Sequence, residues 1–573
     1  MATLKQRAGL HRFIFLWTLI GLVLTGVDWS SAPQPTRSVI IQGASDATVA
    51  QLVRTAGGTI VGELTSIRGF VATVPDDQIS TLTAAGLRVT PNQTVEQAAE
   101  PSSSHAALAA ASRPPESPLY PSIVTGADQL HTRGITGTGV AVAIIDSGMP
   151  AINHSWTQLT TNTLAYTNGN RNIIYKDLVT AVPITNSSDP NGHGTHVMAS
   201  IADGRTITGG NRLGVAPGVD IVVVRALDAQ GQAPYSRVIA GIEWVIANKD
   251  LYNIRVLNLS LQAPVHGPYW HDPLAQATMA AWEAGITVVV ASGNYGPDPA
   301  TITVPGNVPY VITVGAIKPG AYTSNGVDQL AVYSSAGPTE SKFVKPDVVI
   351  AGSRVIAPMP VGSTLEPLAG LVKEKAKLKL GSAMSQDQLN YYALSGTSMA
   401  AAEVSGVIAL LIEDEPALSN NQIKYRLVNT AEVALDATNN PAYSIWQQGA
   451  GRVQPVALVD GTTTNSANAG LNITLDRDYL NGTHYFGTTE YDEATESFYF
   501  SGQPIGVGTY NTWAGTYNTW AGTYNTWAGT YNTWAGTYNT WAGSTSVWNS
   551  SYPSWTGSLA NDDQTIFIPL LRR

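Results

Sequence analysis

Two spacings of apolar residues alternate along the chain. Between residues 37 and 96 the β-branched runs VIIQ, GTIVGEL and GFVATV predict strands. ATVAQLVRTAG and DDQISTLTAAG carry apolar residues at helical spacing and stop at Gly57 and Gly86. A small α+β module is expected there. From about residue 118 to 460 the pattern is larger. The near-continuous apolar runs VAVAIID, DIVVVRAL, IRVLNLSL, ITVVVASG and YVITVGA read as buried strands, and SRVIAGIEWVIANK between them reads as a helix. This alternation predicts an α/β domain with a mainly parallel sheet and helices on both faces. In such sheets function gathers at the carboxyl ends of the strands.

The flanking segments have other patterns. Lys5, Arg7 and Arg12 precede an apolar run over 13–27 and small residues ending at Ala32, which is a secretory signal pattern for residues 1–32. The run is shorter than the roughly 18 to 20 residues that span a bilayer comfortably. After the module, QAAEPSSSHAALAAASRPPESPLYPS has few large apolar residues and reads as a linker. Residues 461–573 form a C-terminal extension of different composition, with five copies of GTYNTWA at 508–542 and tryptophans seven apart from Trp513 to Trp555. Gly, Asn and two Thr in each unit oppose a helix by roughly 2 to 3 kcal/mol relative to Ala, so short β-type pieces are expected instead of a coiled coil. A structural stalk and a binding element for a cell surface or polysaccharide both suit exposed Trp at this spacing.

Charge and cysteine content narrow the class. The chain has 31 Lys and Arg against 41 Asp and Glu, a formal net charge of −10, and no long basic run, which argues against a nucleic-acid partner. There is no cysteine, so a thiol nucleophile and a thiolate metal site are excluded. Export without disulfides points to a secreted or cell-surface protein of a bacterium.

Three segments each bring one reactive residue to a strand end or helix start: VAVAIIDSGM ends a strand at Asp146, NGHGTHVMASIA opens a helix with His193, and LSGTSMA opens another with Ser398. Taken singly, Asp146 and Ser398 also suit caps or turns, and His193 with His196 suits a satisfied polar pair. A zinc-protease reading of that pair fails because Gly194 stands where such a motif needs Glu. Together the three supply a nucleophile, a base and a carboxylate to orient the base. Gly194 and Gly396 are expected to let a substrate backbone approach closely. Asn294, in ITVVVASGNYG, is either a turn residue or a donor to a developing oxyanion, alongside the Ser398 backbone N–H.

Over residues 118 to 460 the chain resembles the subtilisin-like serine endopeptidases, or subtilases, through DSG around Asp146, HGTHV around His193, SGN around Asn294 and GTSMA around Ser398. The resemblance implies a subtilisin-like fold, peptide-bond hydrolysis on protein or peptide substrates, a triad of Asp146, His193 and Ser398, and Asn294 at the oxyanion. It implies that Ser260, Leu261 and Gln262 hold substrate backbone as an added strand. It also implies that residues 33–117 are a propeptide, an intramolecular inhibitor removed by the enzyme itself. The chain departs from the family at several places, among them Ala351 in VVIAGS, where a Pro is usual. Gln262 replaces a usual Gly, which is expected to narrow or polarise the primary pocket. Ala402 and Glu403 replace a usual Pro and a frequent His after GTSMA. Glu403 buried against His193 would raise that imidazole's proton affinity; exposed, it would be harmless. No cofactor is required for the chemistry and no metal ligand is assigned. Structural calcium is an open expectation, with Asp476, Asp478, Glu490, Asp492 and Glu493 as a cluster that suits either an ion or a solvated face. The alternative reading is a non-catalytic pseudo-protease or a surface-adhesive protein acting through the Trp-rich tail.

Overall fold

A computed structural model describes residues 35–98 except 44, residues 120–500 except short segments at 153–154, 181–182, 208–209, 321–322, 324–325, 369, 372–377, 380–388, 437–440, 479–483 and 493–496, and residues 554–555. The signal pattern, most of the linker and the GTYNTWA repeats lie outside the described residues. Among the described residues no helix is long and apolar enough to cross a membrane.

Residues 36–91 form a βαββαβ unit: strands Thr36–Gln42, Thr59–Leu64, Gly69–Pro75 and Arg88–Pro91, with helices Asp46–Thr55 and Ile79–Ala84. The sheet is antiparallel throughout, with the first strand between the third and the fourth. Ser45 caps the first helix by accepting from the Thr48 N–H. Period-two alternation divides the strand residues between two cores. Val39, Ile41, Ala72 and Val74 face the unit's own helices, whereas Ile40 and Val71 pack against the large domain. Buried on both faces, the sheet is thereby fixed in register.

The large domain is built on a ten-stranded sheet. Its parallel centre runs Val348–Ala351, Ile312–Lys318, Thr287–Ala291, Ile254–Leu259, Ala141–Asp146, Asp220–Arg225 and Arg171–Asp177. The edges are antiparallel. Strands Thr157–Thr160 and Thr163–Asn168 meander onto Arg171–Asp177, and Gln329–Leu330 pairs with Ile312–Lys318. The sheet is therefore mixed, where a mainly parallel one was expected. The reason lies in the connections: two residues, Gly169 and Asn170, join the strands on either side, too few for a crossover. Gly169 has φ 62°, as a tight hairpin requires. The long helix Thr397–Asp414 is buried from Thr397 to Ile412, and residues of the segment 471–500, including Phe500, join the same core.

Candidate active site

Asp146 is the last residue of the strand Ala141–Asp146, and His193 the first of the helix His193–Ala202. The two side chains meet with no solvent exposure: His193 Nδ1 lies 2.8 Å from Asp146 Oδ1 and 3.0 Å from Oδ2. With Nδ1–H donating to the carboxylate, Nε2 is left as the basic nitrogen; it is buried and has no hydrogen-bond partner among the described residues. Asp189 builds the helix start. It accepts from the N–H groups of Gly192 and Thr195, from the Thr195 hydroxyl and from Ser147 Oγ, at 2.6 to 2.8 Å. Ser147 Oγ in turn accepts from the Gly194 N–H, which ties the strand end bearing Asp146 to the helix bearing His193. Asp189 is absent from the sequence-based candidates; its position four residues before His193 was the available signal.

Ser398 is the second residue of the helix Thr397–Asp414 and fully buried. Its Oγ donates to the Ser260 carbonyl at 3.1 Å, not to His193. No hydrogen bond joins Ser398 Oγ to His193 Nε2 in this arrangement, so the two must be brought together before the hydroxyl can give up its proton. The helix is pinned by a buried chain: Ser405 Oγ donates to Asn258 Oδ1, Asn258 Nδ2 to Ser260 Oγ, and Ser260 Oγ to the Ser398 carbonyl, at 2.9 to 3.0 Å. Asn294 is oriented by Thr397, whose N–H and hydroxyl both donate to Oδ1 at 3.0 Å. That choice leaves Asn294 Nδ2 as a buried donor without a partner among the described residues. Thr397 and Asn258 act through these neighbours, and neither carried a sequence signal beyond its place in GTSMA and LNLSL.

A segment of the chain itself occupies the cleft. The strand Thr94–Gln97 lies antiparallel between Gln232–Pro234 and Leu261–Gln262, with Leu261 opposite Gln97 and Gln262 opposite Glu96. Beyond it the Ala98 N–H donates to the Ser260 carbonyl, and the Ala98 carbonyl accepts from the Ser398 N–H, both at 3.3 Å. Val95 and Ala98 are fully buried. The Gln262 side chain, expected to bear on the primary pocket, is committed elsewhere: Oε1 accepts from the Asn294 N–H at 2.9 Å, and Nε2 donates to Glu96 at 3.0 Å.

Several expectations are revised. A Cβ on Gly194 would lie 2.4 Å from the Gly148 carbonyl oxygen and 2.7 Å from its nitrogen, so this glycine admits the protein's own backbone, not a substrate's. His196 Nε2 faces the carbonyls of Val355 and Tyr392, and burial pushes its pKa down to about 3, so it is a neutral structural imidazole. Glu403 is fully buried, but the charge acting on it is Arg452, not His193. Among the described residues both its oxygens lack hydrogen-bond partners, and burial holds its pKa well above the usual carboxylate range, which favours the neutral form. With Ala402 in place the helix continues unbroken to Asp414. The acidic cluster is dispersed. Asp476 is buried and accepts from the Tyr269 and Tyr310 hydroxyls at 2.7 and 2.6 Å, Glu490 pairs with Lys342, and Glu493 lies outside the described residues. No group of three His, Asp or Glu side chains among the described residues is arranged to hold a metal ion.

Comparison with known proteins agrees with this geometry. Residues 137–470 match the model of the subtilase family. The chain is 33% identical over 314 residues to the serine protease AprX of Bacillus subtilis, and 33% identical over 308 residues to subtilisin E of the same species. Each alignment covers 53% of this chain and 64% of the relative, so just under two thirds of those proteins is spanned. A subtilisin of Bacillus pumilus, also 33% identical, is covered over 88% of its length. Among solved structures, fervidolysin from Fervidobacterium pennivorans, described as a keratinolytic enzyme related to subtilisin, superposes with a TM-score of 0.52 at 21% identity. That alignment covers 76% of this chain and 63% of that one, and it speaks for the fold. The chain belongs to the subtilase family.

Proposed function

We propose that the protein is an exported serine endopeptidase that cuts its own chain after Ala98 and then hydrolyses protein or peptide substrates through an acyl-enzyme. The observation that carries the reading is the Ala98 carbonyl, which accepts from the Ser398 N–H at 3.3 Å at the end of a strand laid across the cleft. A scissile carbonyl needs such a donor. Ser398 Oγ attacks the carbonyl carbon and its proton passes to His193 Nε2, while the Asp146 carboxylate stabilises the imidazolium. The oxyanion is held by the Ser398 N–H and Asn294 Nδ2. His193 returns the proton to the departing nitrogen as the C–N bond breaks. Water then attacks the ester carbon, gives a proton to His193, and Ser398 is regenerated when that proton returns to Oγ as the acyl C–O bond breaks. No cofactor enters these steps, and structural calcium remains a proposal without assigned ligands.

In this reading residues 1–32 direct export, the module at 37–96 is the folded part of the propeptide, and the catalytic domain begins within the linker. Docking of the module supports the inhibitor role. Glu243 accepts from the Ser66 N–H at 2.6 Å, and Gln42 Nε2 donates to Gln276 at 2.7 Å. The test is intact mass and N-terminal sequencing of the secreted wild type beside Ser398→Ala, made without other extracellular proteases. The wild type alone should begin at Ala99. An uncut product from both, together with no labelling of Ser398 by a fluorophosphonate, would refute the proposal and favour a non-catalytic protein.

A further inference from the structure

We infer that Gln262 and Tyr295 form a subsite that selects a carboxylate-bearing residue, glutamate above all, at the third position before the cut. The inference rests on the endopeptidase reading and deepens it by naming a substrate preference. In the cleft strand Ala98 is the first residue before the cut, Gln97 the second and Glu96 the third. Gln262 lies opposite Glu96 in the antiparallel register. Two donors converge on one oxygen: Gln262 Nε2 at 3.0 Å and the Tyr295 hydroxyl at 2.9 Å from Glu96 Oε1.

The amide of Gln262 is fixed in its sense. Its Oε1 accepts from the Asn294 N–H at 2.9 Å, so the end that faces the third position is the NH₂ group. An amide pinned this way offers a donor and asks for an acceptor. Gln262 is 2% exposed, which removes water as a competing partner for the pinned side. Tyr295 is 47% exposed and supplies the outer wall, and burial together with the Glu96 hydrogen bond pushes its pKa up to about 12, so it stays a donor at working pH. Glutamate satisfies both donors with a charged acceptor, glutamine with a neutral one, alanine with none, and lysine brings a third donor into a site that already has two. Aspartate, one methylene shorter, reaches less far from the same backbone. Gln262 also touches the backbone of Asn294, the residue proposed to hold the oxyanion, so it is a specificity and positioning residue, not a catalytic one.

The experiment uses the mature, self-processed enzyme and peptides Thr-Val-Xaa-Gln-Ala bearing a fluorogenic amide at the carboxyl end, with Xaa as Glu, Gln, Ala or Lys. Casein hydrolysis is followed in parallel. For the wild type kcat/KM should fall in the order Glu, Gln, Ala, Lys, with Glu over Ala by about tenfold, the scale of two charge-assisted hydrogen bonds at a half-exposed group. Tyr295→Phe, at an exposed position, should reduce that ratio to about threefold. Gln262→Glu keeps an acceptor for the Asn294 N–H but turns the donor end into a carboxylate, and should reverse the order so that Lys exceeds Glu. A merely structural Gln262 would lower all four rates and leave their order. Casein cleavage with equal kcat/KM for all four peptides would overturn the subsite and leave the endopeptidase reading standing. Failure to cleave casein together with all four peptides would overturn both.

Discussion

Replacing Glu403 with methionine in the unprocessed Ser398→Ala chain isolates the energetic effect of one buried carboxyl. Glu403 is fully buried in the helix that carries Ser398, and among the described residues neither of its oxygens has a hydrogen-bond partner. Arg452, the charge that acts on it, is already engaged by Asp328 at 2.6 Å and by the Val124 carbonyl at 2.9 Å. Even when protonated, such a group costs about 1 to 3 kcal/mol in lost hydration. A pH term adds to this. The folded-state pKa is raised, so above the ordinary carboxylate range the folded chain holds one proton more than the unfolded chain. The stability tied to that proton is fully present below the unfolded pKa and falls as pH rises, by about 1.4 kcal/mol per unit until Glu403 itself ionises. Glu403→Met removes both terms. It should be the more stable protein at pH 5 by at least about 1 kcal/mol, and the gap should widen as pH rises toward 7, with a slope of at most about 1.4 kcal/mol per unit while Glu403 stays protonated in the fold. Urea unfolding of both chains, followed by near-ultraviolet circular dichroism across that range, measures the gap directly. A gap that stays constant from pH 5 to pH 7 would refute the reasoning, because it would mean that Glu403 is already ionised in the fold.

Three further outcomes follow from the site. Asn294→Ala should lower kcat by about 10² to 10³ with KM within about threefold, since it removes a donor used once the oxyanion forms; a loss confined to KM would contradict that role. Asp146→Asn should lower kcat by about 10⁴ in initial-rate assays, because an amide at 2.8 Å from His193 Nδ1 no longer enforces the tautomer that leaves Nε2 basic. Ala98→Asp should slow self-cleavage at least about tenfold in a time course read by mass spectrometry, since the side chain at this position is fully buried and a carboxylate placed there is desolvated; cleavage after residue 98 at the wild-type rate would contradict the assignment.

Local signals made the elements of the fold legible. The runs read as strands lie at Ala141–Asp146, Asp220–Arg225, Ile254–Leu259, Thr287–Ala291 and Ile312–Lys318, and the helices that should stop at Gly57 and Gly86 do so, each glycine having positive φ. The antiparallel edges were not legible, because Thr163–Asn168 is half polar and only its two-residue connection decides its direction. Asp146 and His193 were readable as a pair because each sits where a strand ends or a helix begins. Which way an amide or hydroxyl turns depends on partners distant in sequence, so the Thr397 grip on Asn294, the rest position of Ser398 Oγ on Ser260 and the fixed sense of Gln262 could be found only in three dimensions.

In the proposed inhibitor role, the module at 36–91 and the strand Thr94–Gln97 act as two grips of one bivalent ligand. Between them Asn92 and Gln93 cap the helix Tyr235–Asn248: Asn92 Oδ1 accepts from the Ser236 N–H, and the Gln93 carbonyl from the Tyr235 N–H. The joint is therefore short and stiff. While the module stays docked, the strand faces the cleft at the high effective concentration typical of a short tether. The proposed cut after Ala98 would not lower that concentration, because the severed end would stay attached to the module on its own side of the break. On that proposal, release of activity is governed by how fast the module itself leaves or is digested, and agents that loosen its contacts with Glu243 and Gln276 should accelerate activation without touching the cleft.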